Sequence, residues 1–337
     1  MSFKRLETDD FVVSSDSITS TLWSTGVQTL STFFTSSVQK AGSSGDFYLS
    51  VYEDGTLTNN QFDIAYANST GLGGKRYTST VTGKTPTLSS YGQYRSLILE
   101  DETKSFTFGT GDNIVTATDF WAISIERARY KESLFPGSLN LTLSGSGNLK
   151  TIHLTDNSKD VTVNTFIGSS RVFQLISGSS GTCGTLANSG YVSGKGSYGL
   201  VFPELGTILL NTSAISESIH VDATRTADST NGVSAITLFE SINTGLSFQL
   251  NSQETITSDY VFARARNSEF NYTQNPTFIS GSTGEVIYNN FINNPQTYIT
   301  TIGMYNDTND LLAVAKLSRP LLKDFTKEAL VRVKLDF

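Results

Sequence analysis

Two histidines, one cysteine and a few runs of carboxylates are the side chains from which this chain could build a catalytic or metal-binding site. His153 and His220 each sit in an apolar, alternating run far apart in the sequence. One histidine suffices for general base catalysis, but neither has a nucleophile elbow or metal-ligand spacing beside it, so both are expected to be structural. Cys183, in Gly181-Thr-Cys-Gly184, lacks the electropositive neighbours that activate a thiol and reads as a small, buried loop residue. Asp9-Asp10 and Glu100-Asp-Glu102 supply carboxylates, but glycoside hydrolysis needs a pair set across a sugar, and adjacency in sequence does not give that. Gly71-Leu-Gly-Gly-Lys75 is superficially a phosphate loop, yet the working motif wants glycine where Ser69 stands and Ser or Thr where Arg76 stands. A hairpin loop is the expectation there. Arg264 and Arg266 share one face of a strand, as do Arg127 and Arg129 if theirs is a strand. Such arginines either pair with acidic neighbours at an interface or line a solvated face, and surface pairs are generally weak. The expectation is no catalytic residue, no cofactor and no metal, hence no enzyme.

Elements that could position any site must be mainly strands. The chain has 337 residues, 37% hydrophobic and 16% charged, and the balance is filled by Ser, Thr, Asn, Gln and 28 Gly. These residues favour strands and turns, whereas soluble helical proteins carry more Glu, Lys, Ala and Leu. The fold class expected is mainly β, with several antiparallel sheets or β-sandwich domains and few short helices. A net charge of −7 and a longest basic run of Lys75-Arg76 argue against sequence-independent nucleic-acid binding. No stretch approaches the apolar length of a membrane helix, and the first residues lack a signal-peptide apolar region. Synthesis in a cytoplasm without cleaved export is therefore expected. A single cysteine excludes an internal disulfide framework.

Three segments are expected. An N-terminal β-rich domain, 1–135, opens with Phe11-Val-Val13 and a polar Ser14-Ser-Asp-Ser17 that reads as a helix cap or turn. Within it, alternation predicts strands around Phe47–Tyr52, Phe62–Tyr66, Tyr94–Leu99, Ser105–Phe108 and Phe120–Ile125. Glu126–Glu132 reads as a helical turn or an edge strand, with its charges solvated either way. Phe135-Pro-Gly-Ser138 marks a boundary, and the central β-sandwich-like domain, 136–230, follows. It carries short strands near 139–143, 151–154, 161–166, 172–176, 200–202 and 207–210. The third segment, 231–337, begins with the best helix in the sequence, Val233–Ile242, where Ala235, Leu238, Phe239 and Ile242 share a face and Gly245 offers a stop. It ends in three predicted strands, Tyr298–Tyr305, Leu311–Leu317 and Ala329–Phe337, read as a meander. In the last, Ala329, Val331, Val333, Leu335 and Phe337 alternate with polar residues, the pattern of a half-buried strand that closes on a core residue.

Several stretches carry a likeness beyond periodicity. Glu269-Phe-Asn-Tyr272, Gly284-Glu-Val-Ile-Tyr288, Pro295-Gln-Thr-Tyr-Ile-Thr-Thr-Ile-Gly-Met-Tyr-Asn306, Leu311-Leu-Ala-Val-Ala-Lys316 and Val331-Arg-Val-Lys-Leu-Asp-Phe337 resemble virion structural proteins of T4-like contractile-tailed phages of cyanobacteria. Thr32-Phe-Phe-Thr-Ser-Ser37, Tyr91-Gly-Gln-Tyr94 and Leu134-Phe-Pro-Gly-Ser138 extend that resemblance over most of the chain. More weakly, the run from Gly303-Met-Tyr305 through Pro320 and Lys323 to the last strand is similar to the virion-attachment part of tail fibres, although here it lies C-terminal. The resemblance implies a non-enzymatic virion protein of the tail or baseplate, assembled in the host cytoplasm. Its expected partners are other tail or baseplate proteins and further copies of itself, with no nucleic acid and no membrane insertion. Candidate interface residues are Tyr298, Tyr305, Val331, Val333, Leu335, Phe337, Arg264 and Arg266. The alternatives are a receptor- or glycan-binding tail module, with Tyr191 to Tyr198 stacking on sugars, and a capsid or neck decoration protein.

Overall fold

The structure, a computed structural model, describes residues 5–22, 34–35, 39–40, 46–53, 55–72, 85–145, 150–184, 190–219, 235–272 and 275–337. In chain order its principal elements are β1 (Phe11–Thr21), β2 (Asp46–Tyr52), β3 (Asn60–Asn68), α1 (Pro86–Tyr94), β4 (Asp119–Ile125), β5 (Asn140–Leu143), β6 (Ile152–Asp156), β7 (Ser170–Ser179), β8 (Gly199–Phe202) and β9 (Thr207–Asn211). They continue with α2 (Ala235–Gly245), β10 (Phe248–Gln249), β11 (Asn251–Ala265), α3 (Asn289–Asn293), β12 (Thr297–Tyr305), β13 (Leu311–Lys323) and β14 (Ala329–Asp336). The fold is mainly β, in several antiparallel sheets with few short helices. The chain divides into a large unit, Ile18–Glu254, and a unit made from both chain ends, Met1–Ser17 with Thr255–Phe337.

One antiparallel sheet organises the large unit, in the order β10-β5-β6-β7-β8-β9-β4-β3-β2. Its middle strands read as continuous apolar runs because both faces are covered. In β9 and β4, Ile208 lies opposite Ile123 and Leu210 opposite Trp121 on one face, while Leu209 lies opposite Ala122 on the other. The first face gathers Phe62, Ile64, Tyr66, Trp121, Ile123, Phe173, Leu175, Val201, Ile208 and Leu210 into the larger core. The second face, with Phe120, Leu200, Phe202 and Leu209, lies under α1 and the helical turn Arg95–Leu99. Phe106 packs edge-on against Phe120 there, with centroids 4.7 Å apart.

The two ends of the sheet curl toward each other. Phe62 of β3 meets Phe248 of β10 at 5.2 Å in a T-shaped contact, although the two strands stand near opposite ends of the strand order. Helix α2 lies against β2, β3 and β5 and fills the gap with Ala235, Leu238 and Ile242. Each of the larger two contributes about 1.5–3 kcal/mol by burial. Gly245 ends that helix directly on β5, where an added Cβ would come within 2.0 Å of the Thr142 carbonyl oxygen. The backbone locks the join, with Thr142 N–H donating to Ser247 O at 2.8 Å and Ser144 N–H to Ser241 O at 3.0 Å.

Several expectations change. Tyr94–Leu99 is helical, because Thr85 caps α1 by accepting from the Leu88 N–H and Pro86 pre-sets its first turn. Phe11-Val-Val13 and the polar Ser14–Ser17 form one continuous strand, β1. The boundary at Phe135–Ser138 falls inside the large unit, since β4 before it pairs with β9 after it. The division at 230/231 fails similarly, because β10 pairs with β5. Residues 231–234, where the helix and third segment were expected to begin, lie outside the described residues. The C-terminal meander does not form: β12 pairs with β13, whereas β14 pairs with β11. Asp324 turns the chain between them by accepting from Thr326 N–H and Oγ1, and the alternating Val261-Phe-Ala-Arg-Ala265 offers β14 a matching partner.

Candidate functional site

The side chains with chemical potential stay apart. His153 rests at the surface of β6 with Nδ1 3.1 Å from Thr142 Oγ1. His220 and the Gly73–Lys75 part of the glycine-rich loop lie outside the described residues. Cys183, expected buried in a loop, is instead exposed in a two-residue strand, Thr182–Cys183, and its N–H donates to Asp160 Oδ2 at 3.1 Å. Glu100 accepts from Ser169 N–H and Oγ, which hold its carboxyl below the usual range, and Asp101 is held down likewise by Thr103. Among the described residues no three of His, Cys, Asp and Glu gather as a metal site.

The Glu126–Glu132 segment is a helical turn at Arg127–Arg129, and its charges are not all solvated. Arg129 NH2 sits 3.0 Å from Glu53 Oε2 with both side chains largely buried, and its Nε donates to Asn60 O at 3.0 Å. Arg127 lies over the Tyr130 ring at 4.5 Å and donates to the Tyr130 carbonyl. Arg129 thus fastens the start of β3 to the turn after β4, while Arg127 braces that turn on itself. The tyrosines proposed for sugar stacking turn inward: Tyr191 and Tyr198 pack on each other at 4.9 Å and against the larger core, and Tyr191 Oη donates to Gly196 O.

The unusual surface belongs to the unit made from the chain ends. It holds most of a sheet in the order β1-β11-β14, to whose β11 the short strand Ser133–Leu134 also pairs. Val261 pairs with Val333 and Ala263 with Val331, so Val261, Ala265, Ala329, Val331 and Val333 share one buried face, with Leu335 half-buried beside them. The opposite face is mostly polar, with the apolar Leu330 exposed on it. Arg264 Nε donates to Glu328 at 3.0 Å, and that bond and charge hold Arg264 more firmly protonated than an ordinary arginine. Lys334 and then Ser258 hold the Asp336 carboxyl below the usual range. Arg332 lies over Tyr260 at 5.4 Å. Backbone pairing continues to the last residue, Phe337 N–H donating to Thr257 O, but the Phe337 ring is 74% exposed and closes no core. Arg266 is exposed, with its N–H donating to Glu269.

β12 and β13 form a separate two-stranded hairpin with little buried side-chain surface. Its register breaks after Ile299↔Leu321 and resumes at Thr301↔Lys316, so Leu317–Pro320 bulge outward. That bulge accommodates Pro320, which has no N–H for a ladder. Beyond it the tip carries Tyr305, Leu311, Leu312 and Val314, all exposed. Tyr305 covers Gly303, where a Cβ would touch its ring at 2.9 Å. The hairpin's root is tied down by Lys323, fully buried, which donates to Asn267 O at 3.1 Å and Asn271 Oδ1 at 2.9 Å. Tyr298, near that root, is 61% exposed.

β1 is exposed almost along its whole length and bears Phe11, Val12, Val13 and Ile18 outward. Among the described residues no strand lies on its far side. Of the expected interface residues, the structure therefore exposes Tyr298, Tyr305, Phe337, Arg264 and Arg266, half-buries Leu335 and encloses Val331 and Val333. Residues not singled out from sequence, Phe11 to Val13 and Leu311 to Val314, form larger exposed apolar runs. Their signal was present: consecutive apolar residues in a strand cannot all face one core. No protein-family model, curated protein or solved structure matches the chain.

Proposed function

We propose that the protein is a non-enzymatic structural protein of a contractile-tailed bacteriophage virion, a tail or baseplate component that joins neighbouring subunits. The observation that carries this reading is the apolar strand surface of the end-built unit, on β1 and on the β12–β13 hairpin. Runs of exposed large apolar residues are uncommon on a protein that works alone and favour an interaction site, and an isolated two-stranded hairpin is marginal in water until a third strand or a packing layer joins it. The sequence resemblance to virion structural proteins supplies the setting. Partners are other tail or baseplate proteins and further copies of the chain, brought together in the host cytoplasm. The inward packing of Tyr191 and Tyr198 weighs against the glycan-binding alternative at that loop. Mass spectrometry of purified virions, with tails and heads separated, tests the proposal. The chain is expected in the tail fraction; recovery with heads would move it to the capsid or neck, and absence from particles would end the proposal.

A further inference from the structure

The end-built unit holds two β edges that no strand pairs among the described residues, and their charges are opposite at one end, Glu7 and Asp9 on one and Lys316 and Arg319 on the other. One is the Phe11–Ser17 part of β1, a strand without Pro or Lys whose outer edge meets no strand among the described residues. Natural edge strands are normally blunted by such residues, by bulges or by a covering element. The approach to β1 is acidic, with Glu7 and Asp9 exposed and Asp16 exposed within the strand. The other edge is the outer side of β13, which belongs to a different sheet of the same chain. Lys316 and Arg319 stand exposed there, beside the apolar Leu311, Leu312 and Val314, while the exposed Asp307 and Asp310 keep the hairpin tip acidic.

We propose that the β13 edge of one copy adds as a strand to the β1 edge of a second copy. This deepens the assembly role above by naming the partner and the surfaces. Each edge supplies what the other lacks. A third strand would stabilise the two-stranded hairpin, and the outer edge of Phe11–Asp16, which faces no strand among the described residues, would gain ladder bonds from one. Set antiparallel, Leu311–Lys316 against Phe11–Asp16 brings Lys316 and Arg319 toward Asp9 and Glu7. The Leu317–Pro320 bulge then falls just past the paired segment, where a proline costs no ladder bond. Apolar side chains on both strands leave water together. Because the donor and acceptor edges differ, the contact is head-to-tail and closes into a ring or extends as a filament.

The test is sedimentation velocity of the full chain at micromolar concentration. Wild type is expected to associate, more weakly as salt is raised. K316E combined with R319E is expected to weaken association about tenfold or more, from two lost pairs turned repulsive. E7K with D9K added to that variant is expected to restore association while circular dichroism stays unchanged throughout. Monomeric wild type, a charge-reversed variant that associates as tightly as wild type, or a four-fold variant that stays monomeric would each overturn the pairing. The readout is separate from the virion assay, so a chain that pairs in this way yet is absent from particles retires the assembly role alone.

Discussion

At the residue scale, charge is where the sequence misleads most. A run such as Glu126-Arg-Ala-Arg-Tyr-Lys-Glu132 has the composition of a solvated surface, and nothing local shows that Arg129 will reach Glu53, 76 positions away. The pair is largely enclosed, and a guanidinium that also satisfies the Asn60 carbonyl is hard to replace. Arg129→Ala leaves a largely buried carboxylate and a carbonyl without their donor and is expected to cost about 1–3 kcal/mol in urea unfolding. Arg127→Ala, which loses a ring contact and one carbonyl bond, is expected to cost less. Equal costs would mean that Arg129 is no better anchored than its neighbour. The apolar residues of α2 were legible because Ala235, Leu238 and Ile242 repeat at helical spacing. Phe337 was misjudged because alternation reports which side a side chain takes, not whether anything lies on that side.

At the element scale, strands with strong alternation or continuous apolar runs stood out, and β4, β5, β7, β8 and β9 lie where their patterns place them. Helix α1 did not, since Thr87-Leu-Ser-Ser-Tyr-Gly-Gln has low intrinsic helix propensity and one glycine. Its signal was the cap, Thr85-Pro86, and its stability comes from Tyr91 packing under Phe106 and Phe120. Strand partners were less legible than strands. Nothing local tells β14 to choose β11 over β13, because both alternate; the choice rests on Val331 and Val333 finding Ala263 and Val261 across the ladder. Removing Val331 to Phe337 strips that cover, losing about 1.5–3 kcal/mol for each buried valine, and opens an edge of β11 that β14 now pairs. The truncated chain is expected to be missing from particles in a complementation assay read by immunoblot of purified virions. Incorporation at the normal level would show that the terminal strand is dispensable to assembly.

At the scale of the whole molecule, composition was enough for a mainly β fold, but not for its division. Turn-rich residues such as Phe135-Pro-Gly-Ser138 look like a linker, yet Gly137 N–H donates to both oxygens of the buried Asp156, which makes that turn an internal joint of the large unit. The real division is discontinuous, with one unit drawing on both chain ends, and such long-range pairing leaves no local mark. The two units also differ in how they treat their apolar residues. The large unit encloses Trp121, Tyr66, Phe62 and Phe248 completely. The end-built unit leaves Phe11, Val13, Leu312, Val314 and Phe337 in solvent, and the account assigns those to neighbours in a particle. A map of the virion at a resolution that traces strands tests this most directly. This chain is expected in the tail or baseplate, with β1 and the β12–β13 hairpin covered by adjoining subunits. A located chain whose hairpin and β1 edge stand free in solvent would contradict it.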